Sequence, residues 1–199
     1  MKQADYITIK ENKKKIKLSL AKPNEIVLKC REFRESKKIL DFGCNINSAV
    51  YKASENKEYF GYDQSQKAQQ WLKKEGKFID FWKTREKFDC IVAMSVMEHL
   101  SWKQRIHFIK QSKNLLSENG HLIMNFVFTQ NHGLLGFFGD IEHKDPISPL
   151  DFSKLIDGYG FESKVYLHHL PISFSVILDL LMNYYPFGIT TIISKKTGK

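Results

Sequence analysis

"ILDFGCNINSAV", residues 39–50, runs from an apolar stretch through Asp41 and Gly43 into a segment with asparagine at 45 and 47. A short apolar run bounded by an acid and a glycine reads as a strand buried on both faces that ends in a tight turn. Open parallel sheets bind ligands at such places, outside the carboxyl ends of their strands. Glycine serves in these turns because it adopts positive φ and lets a ligand approach the backbone. Asn tolerates left-handed φ better than other residues with side chains, so Asn45 and Asn47 still permit the turn. What Asn cannot supply is empty space, and its amide would either meet a ligand or displace it.

The surrounding pattern alternates strands with helices. Residues 23–36 read as a helix with Pro23 in its first turn and Ile26, Cys30 and Phe33 on one face. A strand at 37–42 precedes the turn, and residues 47–55 make a helix. A second strand at 58–63 is followed by a helix at 64–76 that Gly76 terminates. "KFIDFW", 77–82, reads as a third strand and "FDCIVAMS", 88–95, as a fourth. Ser101 caps a helix carrying Ile106, Ile109, Lys113 and Leu116, and "ENG" at 118–120 turns into a fifth strand at 121–128. After a His-containing loop come a helix at 149–159 with Gly160 beyond it, then two closing strands at 161–169 and 188–196. The expected fold is α/β, a Rossmann-like, mostly parallel seven-stranded sheet with one antiparallel strand and helices on both faces. No repeat or Pro/Ser linker divides it, so residues 1–199 read as one domain.

Three cysteines without a CxxC pair argue against a disulfide scaffold or a zinc-thiolate site and for a reducing, cytoplasmic setting. The lysine-rich start has no apolar segment of the kind a signal peptide needs. The net charge of +9 is concentrated: residues 1–38 hold 12 Lys and Arg against 5 acids. Such a basic arm (residues 1–36 with its helix) reads as a solvated lysine-rich face, with nucleic acid, a peripheral membrane surface or an acidic partner as the alternatives. No nucleic-acid signature accompanies it, and DNA is not an expected partner. Residues 170–187 are apolar but interrupted by Asp179 and Pro186, too short for the roughly 20 residues that span a bilayer. They read as an insert packing on the core or the substrate site, with a membrane-surface or partner-binding role as the alternative.

Polar groups fall at successive strand ends: Asp41 and Gly43, then Asp63, Asp80, and Met94 with Ser95. Asp63 lies 22 residues after Asp41, and an acid about that far beyond a glycine-bearing first turn grips a ribose diol.

In this order the segments resemble the class I S-adenosylmethionine-dependent methyltransferases over residues 25–199. "ILDFGCNIN" resembles the first motif, "YFGYDQS" the second, "FIDFW" the adenine-binding segment, and "FDCIVAMSVMEHL" the fourth-strand motif. "NLLSENGHLIMNF" and "EHKDPISPLDFSKLIDGYGFE" resemble the later ones. The family's second and third glycines are Asn45 and Asn47 here. The resemblance implies S-adenosyl-L-methionine as cofactor: Asp41, Gly43, Asn45 and Asn47 around its methionine half, Asp63 on the ribose, Asp80 and Phe81 on the adenine, and Met94 at the fourth strand's end. His99 and His143 are the candidates to serve the acceptor, with His132 the weaker one. Methyltransferases that hold a metal with Glu-x-x-Glu-His have a first Glu where this chain has Ser95, so no metal is expected. The expected activity is methyl transfer to a small molecule, possible acceptors including lipid- or sugar-linked ones, with residues 129–148 and the first helix as lids. The alternatives are a non-catalytic binding domain and an RNA methyltransferase. Oligomeric state is not legible.

Overall fold

A computed structural model describes residues 7–11, 14–19, 23–127, 144–145, 148–168 and 189–198. The expected lid at 129–148 (apart from 144–145 and 148), the insert at 170–187, and both His132 and His143 lie outside the described residues.

The sheet has eight strands in the order β1-β2-β7-β8-β6-β5-β3-β4. They are β1 (Ile7–Glu11), β2 (Lys14–Ser19), β3 (Lys38–Phe42), β4 (Glu58–Tyr62), β5 (Phe88–Met94), β6 (Leu116–Val127), β7 (Phe161–His168) and β8 (Ile189–Lys196). Six of them, β3 to β8, form the expected Rossmann-like core, in which β8 alone runs antiparallel to its neighbours β6 and β7. That core has six strands rather than seven because 77–82 does not become one. Only Phe78 bridges to Gly61, and Asp80 then folds the chain into a turn. Its side chain accepts the Trp82 N–H at 3.1 Å, and its carbonyl accepts the N–H groups of Lys83 and Thr84. The other difference lies in the basic arm, which was expected to hold only a helix. Its backbone forms the hairpin β1–β2, which joins the opposite edge with β2 parallel to β7.

Side chains alternate between the two faces along the central strands. Leu40, Phe42, Ile91, Ala93, Met124 and Phe126 belong to one apolar cluster, whereas Ile39, Cys90, Val92 and Ile123 belong to the other. This period of two with both faces buried makes the strands read as unbroken apolar runs. The expected first helix breaks at Cys30 into α1 (Pro23–Lys29) and α2 (Arg31–Glu35), because Cys30 takes an extended ψ of 151°. Short α3 (Ala49–Lys52) and α4 (Gln66–Lys74) follow β3 and β4. Gly76 at φ 65° and Gly160 at φ 87° end helices as expected.

Helix α5 (Trp102–Leu115) starts where Ser101 was expected to cap it. The Gln104 N–H reaches Ser101 Oγ at 3.4 Å, and Gln104 Oε1 accepts the Ser101 N–H at 2.9 Å, a reciprocal capping box. Its buried face differs from expectation: Arg105, Phe108, Ile109, Ser112 and Leu115 are inside, while Ile106 is only partly buried and Leu116 already belongs to β6. The "ENG" stretch lies within β6, where the register against β5 slips between Phe88 and Cys90. The last helix, α6 (Pro149–Gly158), packs against β7. Among the described residues no helix is long and apolar enough to cross a membrane. Ser101→Ala removes the cap and should cost about 1 kcal/mol in urea unfolding. An unchanged midpoint would show that the box does not hold the start of α5.

Candidate functional site

Among the described residues, three with side chains sit at left-handed φ: Asn45 at 52°, Asn47 at 54° and Ser95 at 53°. Together with Gly43 at 74° they occupy the turns that leave β3 and β5 at their carboxyl ends. Such conformations cost about 1 kcal/mol or more each, and they gather where a site needs a particular backbone path. Gly43, Asn45 and Ser95 line a cavity of about 470 Å³. Its wall includes Phe42, Gly43, Asn45, Tyr62, Asp63, Ser95, Val96, His99, Gln104 and Lys144. That volume is in the range that takes a nucleoside-sized ligand.

The turn after β3 is fixed from β4. The Gly43 N–H donates to the Tyr62 carbonyl at 2.7 Å, and the Asn45 N–H donates to Asp63 Oδ2 at 2.8 Å. Asp63 Oδ1 accepts the Ser65 N–H, also at 2.8 Å. A carboxylate oxygen can accept more than one hydrogen bond, so Asp63 keeps capacity toward the cavity. The Asn45 side chain folds back on its own turn, its Oδ1 accepting the Ile46 N–H at 2.8 Å. The cavity therefore remains open with that amide in its wall. Asn47 is exposed and does not line it. Gly43 has no room for a side chain, since an added Cβ would lie 2.4 Å from Val96 Cγ2.

Asp41 sits behind the turn, 2 % exposed. Its Oδ2 accepts from the Ser48 hydroxyl at 2.7 Å and the Tyr59 hydroxyl at 3.1 Å. Ser48 also caps α3 by accepting the Tyr51 N–H, so this carboxyl, the turn and the helix start are one unit. Burial raises the Asp41 carboxyl to about 7, against the two hydroxyl donors and with a smaller push from Asp63. Burial likewise lifts the thiols of Cys30 to about 11 and Cys44 to about 12, and Cys90 well above its ordinary value. None of the three is a thiolate nucleophile at neutral pH.

The other expected residues lie around this centre. His99 ends a single 3-10 turn, Met97–His99, and lines the cavity. Its neighbour Glu98 is buried away from it, with its carbonyl accepting the Lys144 N–H at 2.9 Å. Asp80 pairs with Lys83 at 3.4 Å, and Phe81 is buried against Phe42, Trp82 and Phe108. Neither lines the cavity, although Phe42 and Tyr62, which meet the Phe81 ring, do. Met94 packs on the α1 face of the sheet rather than in the cavity.

Sequence reading missed Tyr62, Val96, Gln104, Lys144 and, behind the wall, Arg105. Arg105 is fully buried on α5; its Nε donates to the Met97 carbonyl at 2.8 Å and its Nη2 to the Asp145 carbonyl at 2.6 Å. Burial draws its guanidinium down to about 10, opposed by Asp145 and Glu98, so it stays charged at neutral pH. It ties the segment after β5 to the one before α6. The S-W-K-Q capping pattern was a usable signal for Gln104, whereas a cation in a helical stretch gives none for Arg105.

Two stability measurements test this geometry. Gly43→Ala should cost about 2 kcal/mol, and about half of that should return in a Val96→Ala background, leaving the φ penalty. Equal costs in both backgrounds would contradict the Val96 contact. For Asp41, a folded-state value of about 7 above an ordinary 3.8 means the native state holds the extra proton between those values. Its stabilising contribution is complete below pH 3.8 and is lost as pH rises through 7. The total change is on the order of 4 kcal/mol. Asp41→Asn should flatten that decline in unfolding free energy between pH 5 and 8; an identical slope in both proteins would contradict it.

The family described as "Methyltransferase domain" matches residues 15–163. A search of curated proteins finds no match. Among solved structures, a SAM-dependent methyltransferase from Archaeoglobus fulgidus superimposes with a TM-score of 0.70 at 16% identity, covering 87% of this chain and 92% of that one. An O-methyltransferase of a trans-AT PKS multienzyme from Brevibacillus brevis, in complex with S-adenosyl-L-homocysteine, gives 0.60 at 15%, covering 87% and 71%. Magnesium protoporphyrin IX methyltransferase from Synechocystis PCC 6803, with bound SAH, gives 0.60 at 15%, covering 88% and 80%. The family match spans most of the sequence, and the chain belongs to the methyltransferase-domain family.

Proposed function

We propose that the chain transfers a methyl group from S-adenosylmethionine to a small-molecule acceptor. The observation that carries this reading is the cavity at the carboxyl edge, with Asp63, Gly43 and Asn45 in its wall and Asn47 continuing the left-handed turn beyond it. The residues present fit the cofactor. Gly43, Asn45 and Asn47 would hold the methionine half, with Asp41 behind them, and Asp63 would accept from the ribose hydroxyls. The adenine would lie beside Tyr62, with the expected Asp80 and Phe81 behind the described wall and Met94 on the opposite face of the sheet. Similar folds crystallised with S-adenosylmethionine or S-adenosylhomocysteine support that assignment.

The cofactor, when bound, supplies a methyl group already activated by its sulfonium. The chain's own work is to hold the acceptor in line and exclude water. A base is required only for a hydroxyl or a protonated amine. His99, on the cavity wall, is assigned that role. His143 is its alternative, and an acceptor joined to lipid or sugar is the finer form of the reading. Three unpaired cysteines suit a reducing, cytoplasmic compartment.

Calorimetric titration with S-adenosylmethionine tests the proposal. Binding in the micromolar range is expected, weakened about 30-fold or more by Asp63→Ala through loss of two hydrogen bonds. Absence of binding up to millimolar cofactor would overturn it in favour of a non-catalytic domain.

A further inference from the structure

The cavity is electrically divided. Its β4 end carries the Asp63 carboxylate, the one acid in the described wall, and its β5 end carries Ser95, His99, Gln104 and Lys144. The acids adjacent in sequence to those basic groups are drawn away from it. Glu98, beside His99, is 1 % exposed and faces the buried Arg105 electrostatically. Asp145, beside Lys144, accepts the Trp102 N–H on its Oδ2 at 2.7 Å, and its carbonyl accepts from Arg105 Nη2. Both neighbouring pairs, Glu98–His99 and Lys144–Asp145, thus place the base on the cavity and the acid in the packing around α5.

Gln104 adds to this bias. The capping box engages one lone pair of its Oε1 with the Ser101 N–H, and the amide brings two N–H donors to this residue of the wall. Lys144 is anchored through its own N–H on the Glu98 carbonyl, which sets its Cα beside the wall. An ammonium and an amide donor with no carboxylate between them among the described residues recognise an oxyanion.

From this arrangement we infer that the β5 end of the cavity selects an acceptor bearing an oxyanion, a small organic carboxylate or phosphate ester, through Lys144 and Gln104. Naming this the acceptor's end rests on the methyl-transfer reading. A neutral analogue forfeits the charge-assisted contact, a loss of about tenfold in affinity.

The test is calorimetric titration of the whole chain with benzoate, phenyl phosphate and benzamide, with and without S-adenosylhomocysteine. One of the two anions is expected to bind about tenfold more tightly than benzamide, and which one does so separates carboxylate from phosphate recognition. Lys144→Gln should bring the preferred anion to within about threefold of benzamide while S-adenosylhomocysteine affinity is retained. Equal binding of all three probes, binding of none, or a preference that survives Lys144→Gln overturns the inference. Failure to bind S-adenosylhomocysteine with the anion preference intact overturns the cofactor reading alone. Intact S-adenosylhomocysteine binding without the preference overturns this inference alone.

Discussion

The Asp63 carboxylate holds the turn after β3 to the turn after β4, and the shape of the cavity follows from that link. One oxygen takes the Asn45 N–H and the other takes the Ser65 N–H. With the Gly43 N–H on the Tyr62 carbonyl, this keeps a strained backbone path in place between two parallel strands. The strain has a use: left-handed φ at positions 43, 45 and 47 turns the chain around a hollow instead of across it. Asn45 occupies this path because its side chain can close onto the next backbone N–H. An asparagine in a glycine's place therefore keeps the turn and gives up only part of the space.

A second constraint lies on the other side of the hollow. Arg105 is buried with its guanidinium spread between the Met97 and Asp145 carbonyls. Removing the side chain would strand those carbonyls and the acids beside them, so one cation determines how two loops meet. Because Glu98 and Asp145 are gathered toward it, the described wall of the cavity at that end holds His99 and Lys144 and no acid. The same packing that stabilises the start of α5 thus gives the site its polarity.

What was legible in the sequence follows from local physics. Residues 39–42 and 88–94 read as buried strands because both faces are covered, and Ser101 read as a cap because its pattern is complete within four residues. Asp63 was found by its distance from Asp41, since the length of one strand–helix–strand unit fixes it. The β1–β2 hairpin was hidden because lysines dominate residues 10–17 and mask the alternation in "ITIK" and "KIKL". "KFIDFW" has strand composition, but Asp80 captures three following N–H groups and ends the segment after one bridge. Arg105 and Lys144 depend on contacts 40 and 46 residues away, to Asp145 and Glu98, which no local spacing encodes.

Cofactor binding requires a hollow that two asparagines leave open to a sulfonium nucleoside. A crystal structure of the chain grown with S-adenosylhomocysteine measures this most directly. The predicted result is a nucleoside in the cavity with its ribose hydroxyls on Asp63, and with Asn45 and Asn47 still left-handed. Ligand density elsewhere, or an Asn45 amide filling the nucleoside's place, would contradict it.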